Sequence, residues 1–272
     1  MKKFFAILLA MFLMTVVCAA LAENLPDTLI MGFDSAYPPM TYTDADGATY
    51  IGFDIDVANE VCDRLGIALE YQPINWDSKE DELAITRSID CIWSGLTMTD
   101  ALKERFAFSI PYMTNEQVLV VRADSEIKSI ADVAGKKLGT QANSSSVTVL
   151  DDDPDFTATL AGGEPYLYDD FQVALMALSS GNIDVVLVDS VVANDYIGKQ
   201  DAENQAALVK LPEMLLAEEY GIAFRKEDAA LADAVSAQLV ALYQDGTLET
   251  LKDKWQTNDV SIVGEFAAQY QQ

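Results

Sequence analysis

The chain has no histidine. That removes the commonest metal ligand and the usual general base from any mechanism it could carry. Cysteine is almost as scarce, with Cys18, Cys62 and Cys91 as the full set. A disulfide-stapled scaffold is therefore excluded. Cys62 falls in a helical pattern and Cys91 in a strand, and either one bridge or two buried thiols is open to them. Neither can act as a thiol nucleophile without an imidazole to activate it. Positive charge is short too, at 17 Lys and Arg against 44 Asp and Glu, for a net charge of −27. A surface so acidic excludes nucleic acid and anionic membrane as partners. The apolar run Phe4 to Val17 is too short for a stable membrane span.

That run has a different use. Lys2-Lys3 precede it, and Ala20-Leu21-Ala22 gives a small-x-small cleavage site before Glu23, so residues 1–22 read as an export signal. The mature protein is then extracytoplasmic. Val17 stands before Cys18 where lipidation needs a small residue, so no lipid anchor is expected. The remaining 250 residues or so carry 15 basic against 44 acidic side chains and suffice for one large or two medium domains. Half of all residues are hydrophobic, which excludes an acidic disordered tail. The acidic cluster Asp151-Asp152-Asp153-Pro154-Asp155 lacks a spaced calcium loop and reads as solvated. No metal and no cofactor is expected.

Short apolar runs alternate with helical patterns along the chain. Thr28 to Phe33, Tyr50 to Phe53, Ile67 to Tyr71 and Asp90 to Trp93 read as strands. Between them, Ile55, Ala58, Val61, Cys62 and Leu65 recur at helical spacing up to Gly66. Trp76-Asp77-Ser78 opens a polar helix carrying Leu83 and Ile85. Extended segments follow at Phe106 to Ile110 and Gln117 to Val121. The alternation then repeats: Lys137 to Thr140, a Ser-rich turn into a helix through Leu150, Tyr166 to Tyr168, a helix from Phe171 to Ser180, and Ile183 to Val188 ending at Asp189. Glu219 to Arg225 is extended, and helices Ala229 to Gln244 and Thr247 to Trp255 close the series. Strands that are near-continuous apolar runs indicate α/β architecture, with parallel-rich sheets covered by helices. Polar residues gather just after strands, where doubly wound sheets bind ligands.

The stretch Asp90-Cys91-Ile92-Trp93-Ser94-Gly95-Leu96-Thr97-Met98-Thr99-Asp100 organises this reading. A strand running through a Gly/Thr turn into a helix start aims free backbone N–H groups at one spot, which suits a carboxylate. Trp93 is assigned to the core.

Taken with Tyr50-Ile51-Gly52-Phe53-Asp54-Ile55-Asp56, Phe108-Ser109-Ile110-Pro111-Tyr112, Ile130-Ala131-Asp132-Val133-Ala134-Gly135-Lys136-Lys137-Leu138-Gly139, Ile183-Asp184-Val185-Val186-Leu187-Val188-Asp189, Tyr220-Gly221-Ile222-Ala223 and Asp245-Gly246-Thr247-Leu248, this turn resembles the solute-binding proteins of ABC amino-acid importers. The resemblance implies a two-lobed periplasmic binding protein fold: lobe one from residues 25–112 plus 217–272, lobe two from 116–213, and hinge strands near 112–116 and 213–217. It also implies a monomer that delivers an amino acid or amino-acid-like solute to a membrane permease. By the same resemblance, Asp189 accepts from a ligand ammonium, a role that competes with capping the next helix, and Asp34 supports it. Tyr37 and Trp76 sandwich the ligand. Gly95, Leu96 and Thr97 meet its ammonium and carboxylate. Gln141 reads the side chain, and Ser144 and Ser145 add N–H groups from the second lobe.

One position departs from the family. Members usually place an arginine shortly after the Thr-x-Thr turn, and Leu102 stands there. Lys103 points about 100° away and Arg105 is almost a turn further on. The missing fork is worth about 1.5–3 kcal/mol. Backbone N–H groups alone, another basic residue reaching in, or an unusual ligand would each account for it. A cyclohexadienyl or arogenate dehydratase-like enzyme is the alternative on this fold, with Asp34, Asp189 or Glu116 as its only acid–base candidates. A receptor's sensing domain is a third, less economical reading.

Overall fold

The computed structural model describes residues 25–199 and 207–270. The segment read as an export signal, with Cys18, lies outside them. In chain order the strands are β1 (Thr28–Phe33), β2 (Ala36–Tyr37), β3 (Thr41–Thr43), β4 (Tyr50–Ile51), β5 (Ala68–Pro73), β6 (Cys91–Ile92), β7 (Ala107–Phe108), β8 (Met113–Arg122), β9 (Leu138–Gln141), β10 (Tyr166–Tyr168), β11 (Val185–Asp189), β12 (Leu208–Tyr220) and β13 (Ala223–Phe224).

They build two five-stranded sheets, ordered β5-β1-β6-β13-β7 and β10-β9-β11-β8-β12, plus a small β2-β3-β4 sheet. Each large sheet has a parallel centre: β1 pairs parallel with β5 and β6, and β9 pairs parallel with β10 and β11. Antiparallel strands are added where the chain crosses back, at β13 in the first sheet and at β8 and β12 in the second. The burial follows from composition. Leu29, Met31 and Phe33 of β1 are fully enclosed, as are Val185 to Val188 of β11, each such side chain gaining about 1.5–3 kcal/mol.

The helix Phe53–Leu65 turns Phe53, Ile55, Val57, Ala58, Val61 and Cys62 inward and stops at Gly66, whose φ of 71° favours glycine. It packs on the helix Ala229–Gln244, itself apolar along its buried face. Cys62 and Cys91 are free buried thiols. Trp93 is fully enclosed in the core.

β8 and β12 join the two sheets and run antiparallel to each other, from Leu208 opposite Arg122 to Tyr220 opposite Met113. At their far end they tie into the first sheet. Met98 N–H donates to Glu219 O, Gly221 N–H to Leu96 O, and Tyr112 N–H to Tyr220 O. The end of β12 is thus bonded directly to the Gly95–Thr99 turn.

The segment after Trp76 differs from expectation. It is not one regular helix but a 3-10 turn (Trp76–Ser78), one α turn (Lys79–Asp81) and a π turn (Glu82–Thr86) ended by Arg87 in the left-handed region. The changes of pitch rotate the side chains out of phase. Leu83 is buried while Ile85 is largely exposed.

Candidate functional site

Between the sheets lies a cleft of about 1160 Å³, and all ten residues singled out in the sequence border it. Its floor is the Gly95–Thr99 turn. Gly95 has φ 57°, and a Cβ there would lie 2.6 Å from Tyr37 Cε1, so the turn requires glycine. The Gly95 N–H is held from below by the buried Asp54 Oδ2 at 2.9 Å, which also accepts from Tyr112 OH at 3.0 Å. Burial pushes the Asp54 carboxyl up to about 7, against the lowering effect of its hydrogen bonds to Gly95 and Tyr112. No hydrogen bond within the described residues uses the Thr97 N–H.

Asp189 closes the end of β11 and is 4% exposed. It occupies the N-cap position of the next helix but makes no capping bond. Instead its Oδ1 accepts from Asn115 Nδ2, Gln117 Nε2 and Tyr220 OH, each at 2.7 Å. Glu218, 8% exposed, faces the same two amides from β12: its Oε1 accepts from Asn115 Nδ2 at 2.6 Å and Gln117 Nε2 at 2.8 Å. The geometry follows from register. β8 lies between β11 and β12, Gln117 sits opposite Asp189 and Asn115 opposite Glu218, and residues two apart share a face. Burial, then the Glu218 charge, holds the Asp189 carboxyl well above the ordinary carboxylate range. Tyr37 OH lies 2.8 Å from Tyr220 OH and joins the Tyr37 ring to this network.

Asp34 serves two partners. Its Oδ1 takes the Ala36 N–H at 2.8 Å, a local turn contact, and its Oδ2 takes Gln141 Nε2 from the opposite lobe at 2.7 Å. Burial raises its carboxyl as well. Ser144 Oγ donates to Gln141 O, and Ser145 Oγ accepts from Gln117 Nε2. Ser145 opens the helix Ser145–Asp152, for which Ser144 is the N-cap residue without a side-chain cap.

Sequence reasoning missed Glu218, Asn115, Gln117 and Lys79. Lys79 is 3% exposed, with its ammonium 4.8 Å from the centre of the Trp76 ring. It donates to Trp76 O at 3.3 Å and, across the cleft, to Asn143 O at 2.7 Å. Burial lowers its pKa to about 8. Leu102 packs against the apolar cluster that includes Trp76, Lys103 is exposed, and Arg105 is held by Glu80. Of the four basic residues bordering the cleft, Lys79 alone is buried. Acceptors at one end and unspent N–H groups with a buried ammonium at the other suit a small zwitterion.

The comparisons identify the family. Residues 29–258 match the family model for bacterial extracellular solute-binding proteins, family 3. The L-cystine-binding protein TcyJ of Escherichia coli is 30% identical over 86% of this chain and 84% of its own. The L-arginine-binding protein of Pseudomonas aeruginosa is 32% identical over 85% and 88%. A crystal structure of an ABC uptake transporter substrate-binding protein from Streptococcus pneumoniae, with bound histidine, superposes with a TM-score of 0.82 at 37% identity, covering 89% of this chain and 96% of that one. This two-lobed chain therefore belongs to the bacterial extracellular solute-binding proteins of family 3, the components that capture amino acids for ABC importers, and it is a binding protein rather than an enzyme.

Proposed function

We propose that the ligand is an α-amino acid with a cationic or donor-rich side chain, of the arginine and histidine class. The supporting observation is the three buried carboxyls of the cleft, Asp34, Asp189 and Glu218, which form no ion pair with a Lys or Arg among the described residues. Proteins similar to this chain are named for arginine or carry bound histidine. In this reading Asp189 takes the ligand ammonium with the Gly95 carbonyl, and Tyr37 and Trp76 flank the ligand. The N–H groups of Leu96, Thr97, Ser144 and Ser145 take its carboxylate, and Asp34 and Gln141 read its side chain. Lys79 stands in for the arginine absent at Leu102. The lobes divide at residues 25–112 plus 217–272 and 116–213, with hinges near 112–116 and 213–217. The protein works as a monomer, without nucleic acid, after export by residues 1–22.

A thermal-shift panel at millimolar concentration tests the ligand. A compound present at a hundred times its Kd adds about 2.7 kcal/mol. Arginine or histidine should give the largest shift. Stabilisation by acidic amino acids alone, or by none, would overturn the reading.

A further inference from the structure

We propose that Glu218 is the second carboxylate of the ammonium subsite, and that a ligand amino group seated on Asp189 and Glu218 displaces a proton that Asp189 carries when the cleft is empty. This rests on Asp189 taking the ligand ammonium.

The arrangement is a row of acid, amides and acid across three adjacent strands. The Asn115 and Gln117 amide nitrogens each donate to Asp189 Oδ1 and to Glu218 Oε1, within 2.6–2.8 Å. Their orientation is fixed from behind. Asn115 Oδ1 accepts from Ser190 Oγ at 3.0 Å and Asn258 Nδ2 at 3.1 Å, and Gln117 Oε1 accepts from Ser146 Oγ. With both amide oxygens occupied, the NH₂ groups turn to the acids. Glu218 Oε2 is nonetheless buried with no hydrogen-bond partner, and Asp189 Oδ2 takes none of the bonds described. The site has more acceptor oxygens than the protein supplies donors for.

Charge leads to the same conclusion. No Lys or Arg among the described residues forms an ion pair with either acid. The other titratable groups acting on Asp189 are the phenols of Tyr220 on β12 and Tyr37 on β2. The remaining partners, Asn115 and Gln117 on β8, Ser145 and Ser146 on the helix Ser145–Asp152, Ser190 and Asn258, are neutral. Both acids take the same two amide nitrogens, so two negative charges there would repel, and Asp189, buried beside the Glu218 charge, keeps its proton when the cleft is empty. A protonated amino group brings three donors and a full positive charge, meets both acids, and leaves the proton no role. Binding then releases it, and affinity rises with pH.

Calorimetric titrations of L-arginine, L-histidine and L-cystine, each from pH 5 to 7 and in buffers of different ionisation enthalpy, test this. For whichever probe binds the wild type, affinity should rise by up to tenfold per pH unit, with buffer-dependent heat reporting nearly one proton released. Glu218→Gln should weaken that probe at least tenfold and flatten the pH slope. Glu218→Asp, which keeps the charge, should keep the slope, and circular dichroism of both variants separates misfolding from loss of the subsite. Independently, the infrared absorption of protonated carboxyls should lose one component when the probe is added to wild type, the Asp54 component remaining, and the lost component should be altered beforehand in Glu218→Gln. A wild type that binds with no pH slope, or a folded Glu218→Gln with unchanged affinity, overturns the two-carboxylate subsite while leaving the amino-acid reading intact. If none of the three probes binds the wild type, that reading fails and this inference fails with it.

Discussion

Gln141 Nε2 donates to Asp34 Oδ2 at 2.7 Å, and the two residues belong to opposite lobes. Two more bonds cross the cleft from the same turn: Lys79 Nζ to Asn143 O, and Asn143 Nδ2 to Asp77 O at 3.1 Å. Lobe two therefore docks on lobe one through residues 141–143. A ligand favours closure only through contacts that differ between open and closed states, and these bonds add to the closed one.

Gln141→Leu removes a donor from a buried carboxylate and should cost the closed form about 1.5–3 kcal/mol. Ligand affinity should fall roughly tenfold to a hundredfold, read by calorimetry, and the ligand-dependent contraction in solution scattering should shrink. Unchanged affinity would show that the bond contributes nothing to closure.

Gly95→Ala puts a methyl group where Tyr37 Cε1 lies 2.6 Å away, at a backbone φ of 57°. The left-handed backbone alone costs about 1–2 kcal/mol, and Tyr37 must leave its bond to Tyr220. We expect a lowered Tm together with loss of binding. A variant that binds normally would mean that the Tyr37 ring moves freely.

Lys79 carries a pH signature. Its ammonium loses its proton near pH 8 in the folded chain and near 10.5 when exposed, so between those values the unfolded state holds more protons and stability rises with pH. The full difference is on the order of 3 kcal/mol. Lys79→Met should abolish this gain, as urea denaturation at pH 7.5 and pH 10 would report. The same variant should weaken ligand binding at pH 7, because it removes the buried cation of the cleft. A parallel pH dependence in wild type and variant would refute the assignment.

Asp54 behaves in the opposite sense. Folded, it keeps its proton up to about pH 7; unfolded, it releases it near 3.8. The folded state holds more protons in that interval, so stability falls as pH rises through it, by on the order of 4 kcal/mol. Asp54→Asn should flatten the curve between pH 5 and 8 in denaturant titrations, and a curve as steep as the wild type's would show that another group is responsible.

How far the sequence was legible depends on periodicity. β1 and β11 announce themselves as apolar runs, and the residues that end them or follow them, Asp34 and Asp189, could be named at once. Glu218 could not. It lies in a 13-residue strand whose register shifts between Lys210 and Met214 and again between Met214 and Leu216. Each irregularity exchanges the faces that alternating residues present, so the stretch Met214 to Glu219 does not reveal which acid enters the cleft. Lys79 was hidden by the 3-10, α and π turns that share its segment, since no single period places its side chain. Asn115 and Gln117 on β8 offered no signal beyond extended backbone, because their role arises from two neighbouring strands distant in sequence.

The two buried thiols have a practical side. Cys62 is 2% and Cys91 0% exposed, and burial pushes the Cys62 thiol up to about 12 and Cys91 well above its ordinary value. Thiol reagents act on accessible thiolates, so neither native cysteine competes for a maleimide dye in the folded protein. A single cysteine placed at the mouth of the cleft, on the exposed side of the 141–143 turn, would then be labelled alone, and its fluorescence would report lobe closure as an optical amino-acid sensor.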